Sequence, residues 1–360
     1  MEELRFALYG YGKVAELHAR ALSTLAGKAR MVSVIGRDKA KREAFAGRWG
    51  VPARGSAAEA GDRDHAEAVL VTTPHPLHAA HSLEASQAGL HVIVEKPMAI
   101  SVAECDSMIA AAAAAGKELG VICQRRWYPA VRRVREALDS GRLAVPVLGQ
   151  VVMLGWRDEP YYRSDPWRGS WAGEGGGVLV NQAPHQLDLL AWFMGPVLEV
   201  SAYWANLNHP YIEVEDTAVA SLRFAGGALG SILVSNSQKP GIYAKVHVHG
   251  SNGASAGVQT DGGAMFIAGM SGVLEPPVND IWTVPGEEHR LAEWKAEDET
   301  FFKTMDPTWW FFARQIEDFS AAVREGRRPA ATGRDGRETL RLVEGIYASG
   351  RAGVPVRPAP

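Results

Sequence analysis

The sequence predicts an α/β protein: a doubly wound parallel sheet comes first, then a second α/β domain on an open, mostly antiparallel sheet. Three observations carry this. Short apolar runs alternate with helical patterns through the first 124 residues. A Gly-x-Gly-x-x-Ala turn follows the first of those runs directly. After about residue 150 the pattern changes to strands of alternating polarity separated by glycine turns. At 360 residues the chain is long for one core, so two domains are expected, 1–124 and 125–360. Whether the last helices pack back on the first domain is left open.

In chain order, strands are expected at Arg5–Tyr9, Met31–Ile35, Ala68–Thr72, His91–Val94 and Leu119–Cys123. Helices are expected around Val14–Leu25, Lys39–Arg48, Leu77–Ala88 and Val102–Ala115. Ser101-Val102-Ala103-Glu104 has the S-x-x-E form of a capping box. In the second half one helix is expected from about Gln182 to Phe193. "TAVASLRF" and "LGSILVS" should form a hairpin about Gly226-Gly227, and "VLEVSAYW" and "KVHVHG" read as further strands. Two helices, near Pro307–Glu325 and Arg334–Ser349, close the pattern.

Composition narrows the function classes. The net charge of −3 and pI near 6.4 give no electrostatic case for nucleic acid or an anionic membrane. The opening "MEELRFALYGYG" runs straight into a strand without the pattern of a secretory leader, and the alanine run Ala110–Ala115 is too short to cross a bilayer. With Cys105 and Cys123 the only cysteines, a reducing, cytoplasmic setting is expected.

The glycine turn suits a pyrophosphate. Gly10 makes the tight turn, Gly12 lets backbone approach the phosphates, and small Ala15 packs helix on sheet. Lys13 and Val14 open the helix whose N-terminus then faces the anion. An acid is expected about 20 residues on, at the end of the second strand, to hold the ribose. Here Gly36-Arg37-Asp38 stands instead. A small residue followed by arginine leaves room and charge for a 2′-phosphate, while Asp38 suits a helix cap or a ribose contact. NADP is favoured over NAD.

The stretch "HVIVEKPMA" ends a buried strand with Glu95 and Lys96 and then locks the chain with Pro97. Ligands of open α/β sheets bind at the carboxyl ends of strands, so Lys96 is a candidate ligand-facing group.

With the glycine turn, "TTPHPLHAA" and "EKPMA" in order, the chain resembles the Gfo/Idh/MocA oxidoreductases. The likeness continues through "GGGVLVNQAPHQLDLLAWFMG", "EDTAVASLRFAGGALGSI" and the closing "GRRPAATGRDGRETLRLVEGIYASGRAGVPV". It implies an N-terminal Rossmann domain, a C-terminal α/β domain with an open sheet, a nicotinamide cofactor between them, and face-to-face pairing of sheets into a homodimer or homotetramer. Position by position, Thr73, Pro74 and His78 match the loop that passes the cofactor. Lys96 matches the active-site lysine, Glu95 its neighbour, and His185 the histidine that approaches the reacting hydroxyl. Many sugar and inositol dehydrogenases of the family carry Asp four residues before that histidine. Here it is Asn181, which can hold a hydroxyl but cannot take its proton.

Other clusters admit two readings. Asn181, His185 and Asp188 would share one face of a single helix. The aromatic stretch 156–177, with Trp167 and Arg168, reads either as a sugar-stacking loop or as an interface cluster. The five arginines of "RRWYPAVRRVR", Arg126 among them, read as a solvated helix face or as an anion subsite for substrate. His75, His78 and His81 lack the companions of a metal site, and no metal is expected. His247 and His249 read as solvent-facing filler.

The expected activity is hydride transfer between NAD(P) and a secondary hydroxyl of a sugar, glycoside or cyclitol. Lys96 would stabilise charge on the substrate oxygen, His185 would act as base, and Asn181 would position a hydroxyl. Arg126, Trp167 and Arg168 would add substrate contacts. The alternatives are an NAD-dependent glycoside hydrolase of the same fold and a non-catalytic sugar or nucleotide sensor.

Overall fold

The computed structural model describes residues 2–262 and 275–359. The chain forms two compact units. One is Met1–Gln124 with Trp309–Arg337, and the other is Arg125–Thr308 with Glu338–Pro360.

In the first unit, β1 (Leu4–Tyr9), β2 (Ala29–Ile35), β3 (Ala53–Arg54), β4 (Ala68–Val71), β5 (His91–Val94) and β6 (Leu119–Val121) form one sheet. Its order is β3-β2-β1-β4-β5-β6, with every pairing parallel. β4 is buried throughout, and β5 in all but its first residue, as strands covered on both faces must be. Helix ends are fixed as the sequence suggests. Asp38 accepts the Lys41 N–H and Ser101 the Glu104 N–H, while Glu104 reaches back to the Ile100 N–H.

Helix Trp310–Glu325 belongs to this unit. It packs on helix Lys13–Ser23, and Phe319 stands over Gly120 so closely that a Cβ there would lie 3.0 Å from its ring. Gln315 satisfies backbone at the end of edge strand β6, accepting the Cys123 N–H at 2.9 Å and donating to the Val121 carbonyl at 2.7 Å.

The second unit carries β7 (Pro146–Leu154), β8 (Val197–Ala205), β9 (Thr217–Phe224), β10 (Leu229–Ser235), β11 (Tyr243–Gly250) and β12 (Ser255–Gly262), in the order β12-β11-β7-β10-β9-β8. The sheet is mixed: β7 and β10 run parallel and the other pairings are antiparallel. The β9–β10 hairpin turns at Gly226-Gly227 as expected. Helix Pro184–Met194 lies on β7, where a Cβ at Gly149 would come within 2.8 Å of Leu190 and Met194. On β8 to β10 the side chains of the opposite face alternate outward.

The helix expected from about Gln182 to Phe193 is found at Pro184–Met194, but Asn181 is not on it. Helix Val178–Asn181 ends, the chain turns at Gln182-Ala183, and Pro184 starts a new helix at its first position. Asn181 and His185 therefore do not share a helical face.

Candidate functional site

At the carboxyl end of β1, Gly10 has φ +128°, and a Cβ there would lie 2.5 Å from the Thr72 hydroxyl. Only glycine fits. Gly12 is the N-cap of helix Lys13–Ser23, with no side chain capping that end and open space where its own Cβ would be. The first-turn N–H groups thus face a clear approach, flanked by exposed Lys13 and half-buried Val14, with buried Ala15 beneath. That cradle fits the pyrophosphate of a dinucleotide.

At the end of β2 the Gly36 position is not open space. The Tyr11 ring lies against it, so close that a Cβ would be 2.3 Å from the ring. Arg37 is exposed, and Asp38 is engaged in capping the next helix.

At the ends of β4 and β5, a buried set of histidines ties the loops together. The His78 ring nitrogens lie 2.7 Å from the Thr73 carbonyl and 2.8 Å from the Pro97 carbonyl. Burial pushes that ring below its usual pKa despite both carbonyls. His78 is 1% exposed and forms a strut between the two loops. The Thr73 hydroxyl is bonded to His81, which stacks on Tyr9. Exposed Pro74 leads into the one-turn helix His75–Leu77.

Glu95 likewise faces inward. Its Oε1 lies 2.7 Å from His18 Nε2, and its Oε2 accepts the Lys96 backbone N–H at 3.0 Å. Burial raises the Glu95 carboxyl, but the His18 hydrogen bond and charge and the nearby Lys96 outweigh it and hold it below the usual carboxylate range. Glu95 thereby anchors the Lys96 backbone. Lys96 itself is half-buried, at the carboxyl end of β5.

In the second unit, half-buried Asn181 closes one short helix and half-buried His185 stands in the first turn of the next. The Tyr161 hydroxyl accepts from Arg168 at 2.8 Å, from the Asn181 amide at 3.0 Å and from Gln182 at 3.1 Å. The Arg168 guanidinium also lies 4.6 Å from the Tyr161 ring centroid and 4.5 Å from that of Trp167. Burial raises the Tyr161 pKa, and Arg168 and Arg157 pull against it. Asn181 further donates to the buried carboxylate of Glu174.

Glu215, also buried, accepts the Gly177 and Leu179 N–H groups and the Tyr347 hydroxyl, all within 3.0 Å. It seats the turn that carries Asn181. Sequence reasoning missed Tyr161, Glu174, Gln182, Glu215 and His18. Tyr161 and Glu174 lay inside the aromatic stretch already singled out, but no positioning role was assigned to either.

Other readings on this unit meet the structure as follows. Arg126 is 4% exposed and forms a bidentate pair with Asp188. Arg125 pairs with Asp261 and Arg133 with Asp298, so the arginine run is no solvated face. In the stretch 156–177 Tyr162 is buried, and Trp171 packs edge-on against Trp204 and Tyr347. His247 is bonded to Asp280 and His249 to Ser255, which corrects the filler reading.

Residues 4–123 match the family described as "Oxidoreductase family, NAD-binding Rossmann fold", and residues 131–256 match the "GFO/IDH/MocA C-terminal domain". The inositol 2-dehydrogenase of Rhizobium meliloti is 26% identical over 350 residues, 96% of each chain. The WlbA dehydrogenase of Bordetella pertussis, solved with NADH and UDP-GlcNAcA, is 29% identical with a TM-score of 0.82, covering 100% of this chain and 99% of that one. Its counterpart from Chromobactrium violaceum, in complex with the same two molecules, is 29% identical with a TM-score of 0.84, over 100% and 97%.

Proposed function

This chain belongs to the Gfo/Idh/MocA family of NAD-binding oxidoreductases, and on that footing we propose that it acts on a secondary hydroxyl of a sugar, glycoside or cyclitol. The observation that carries the reading is the uncapped helix end over Gly12, on the same sheet edge as half-buried Lys96. The bound nicotinamide supplies the hydride acceptor. Lys96 stabilises charge on the substrate oxygen, its backbone held by the Glu95–His18 pair. His185 takes the hydroxyl proton, and Asn181, with Trp167 and Arg168 nearby, positions the ring. The relatives named for inositol oxidation support a polyol substrate.

A nucleotide-linked sugar is the second reading, supported by the relatives solved with UDP-GlcNAcA. Four of the five arginines in the run that would have met its diphosphate are spent on carboxylates: Arg125, Arg126, Arg133 and Arg135 each have an acidic partner. The free sugar or cyclitol is therefore preferred. Exposed Arg37, beside an Asp38 committed to its cap, supports NADP, while the same relatives hold NADH. Exposed apolar side chains on one face of the second sheet support a homodimer or homotetramer.

The test is a screen of sugars, glycosides and cyclitols with NAD and NADP, following reduced nicotinamide. Net reduction separates a dehydrogenase from a hydrolase that returns its hydride and from a sensor. Lys96→Met should then bind nucleotide normally while kcat falls about 10²-fold or more, the size of effect when a preorganised donor is lost. Near-normal kcat with a raised KM would make Lys96 a binding residue only.

A further inference from the structure

Gln124 opens the short helix Gln124–Trp127, three residues past the end of β6. It is half-buried, and its Oε1 is buried without a hydrogen-bond partner. Among the described residues its NH2 has no partner either. Gln315, at the same strand end, is the contrast: both ends of its amide are spent on the Cys123 and Val121 backbone. An amide that offers a donor and an acceptor and uses neither is costly to keep for packing alone. With neither end tied it also turns about its last torsion at little cost, so a ligand can meet either end.

Its place in the sheet decides the ligand. β5 and β6 run with Val94 opposite Val121, and the Ile122 N–H extends the pairing to the Val94 carbonyl at 2.8 Å. Lys96 and Gln124 thus leave adjacent strand tips on one sheet edge, where neighbouring strands stand about 4.8 Å apart. Both tips are fixed through their backbone, since Glu95 takes the Lys96 N–H and Gln315 the Cys123 N–H. We propose that Gln124 is a specificity-determining residue that binds the hydroxyl next to the reacting one, so that the substrate is a vicinal diol and its product an α-hydroxy ketone. This rests on the sugar or cyclitol reading above, in which Lys96 meets the reacting oxygen. The reacting carbon gives its hydride to the nicotinamide and its hydroxyl proton to the base, and the neighbouring hydroxyl stays intact. A hydroxyl both donates and accepts, as an amide does, whereas a hydrogen in its place leaves the amide unpaired.

Gln124→Met keeps the length of the side chain and removes both polar ends. It is compared with wild type on the best substrate of the screen and on the two analogues deoxygenated at one or the other neighbour of the oxidised carbon. In wild type, kcat/KM for at least one analogue should lie about 10-fold or more below that of the substrate, as when a site built to bond a hydroxyl meets a molecule without it. In Gln124→Met the value for the substrate should fall to that of the analogue, and the analogue's own value should barely move. The Kd for NADH, followed by fluorescence, should match wild type. Tm should equal or exceed wild type, because no bond within the protein is lost.

A gap that persists in Gln124→Met, or no gap in wild type, overturns the proposal and leaves the functional reading standing. A fall in Tm would show that the amide is bonded inside the protein, and NADH binding weakened as much as kcat/KM would give Gln124 to the cofactor. Either result also overturns it. A screen without turnover of any sugar, glycoside or cyclitol overturns the functional reading and the specificity rule together.

Discussion

At the scale of single residues, the cofactor question turns on Arg37. Its guanidinium is exposed just past β2, while Asp38 is drawn off by the Lys41 N–H. Arg37→Ala should weaken NADP binding by about 1.5–3 kcal/mol, the range for a hydrogen bond to a charged group, and leave NAD nearly unchanged. Titration of both nucleotides into wild type and variant checks this, and equal loss for both would rule out a 2′-phosphate contact. Gly36 shows how far one residue could be read in advance. That a small residue stands there was visible in the sequence, but the reason was not. The Tyr11 ring fills the space that had been assigned to a phosphate. Lys96 at a strand end was legible because a buried run, two charges and a proline are all local signals. Arg125 and Arg126 were not, because their carboxylate partners Asp261 and Asp188 lie far along the chain. Without those partners an arginine run has the same pattern as a solvated helix face.

At the scale of elements, the parallel strands β1, β2, β4, β5 and β6 were readable from buried apolar runs bounded by turns. β3, of two residues, and helix Ala57–Asp64, whose "AAEAGDRD" has no apolar stripe, were not. The single helical face read from "NQAPHQLDLL" fails because Asn181 closes a separate short helix, whose entry Glu215 anchors through the Gly177 and Leu179 N–H groups. That anchor has a pH signature. Burial pushes the Glu215 carboxyl up to about 7, although the Leu179 and Gly177 N–H groups and the Tyr347 hydroxyl pull it down. The folded state therefore binds this proton more tightly than the unfolded chain, whose value is 4.5. The stability linked to it is complete below the unfolded value and is lost as pH rises through about 7. Glu215→Gln cannot titrate. It should be less stable at every pH, by about 1–3 kcal/mol for the N–H group left facing an NH2, yet its stability should vary less between pH 5 and 8. Urea midpoints across that range measure both effects, and parallel curves for wild type and variant would show that Glu215 does not titrate there.

At the scale of the whole molecule, the least legible feature is that the chain returns: Trp309–Arg337 completes the first unit after the second has been built. Helical periodicity near Pro307–Glu325 announces an apolar stripe, but not that Phe319 covers Gly120 and Gln315 closes β6. The alternation of the second sheet was legible, and its open face leads to an assembly prediction. Tyr203 on β8 pairs with Val219 on β9, Val219 with Leu233 on β10, and Leu233 with Val152 on β7. Tyr203, Val219 and Leu233 are 78%, 46% and 39% exposed, so an apolar row crosses adjacent strands on the surface. Soluble monomers rarely leave such a row uncovered. A second copy of the same face would bury it, as in an isologous dimer. Light scattering on the purified chain at micromolar concentration should give a multiple of 38.8 kDa. Leu233→Glu places a charge mid-row without disturbing the core, so it should shift the mass towards the monomer while circular dichroism stays unchanged. A wild-type mass of one chain, or a variant that assembles as well as wild type, would mean that this face does not join subunits.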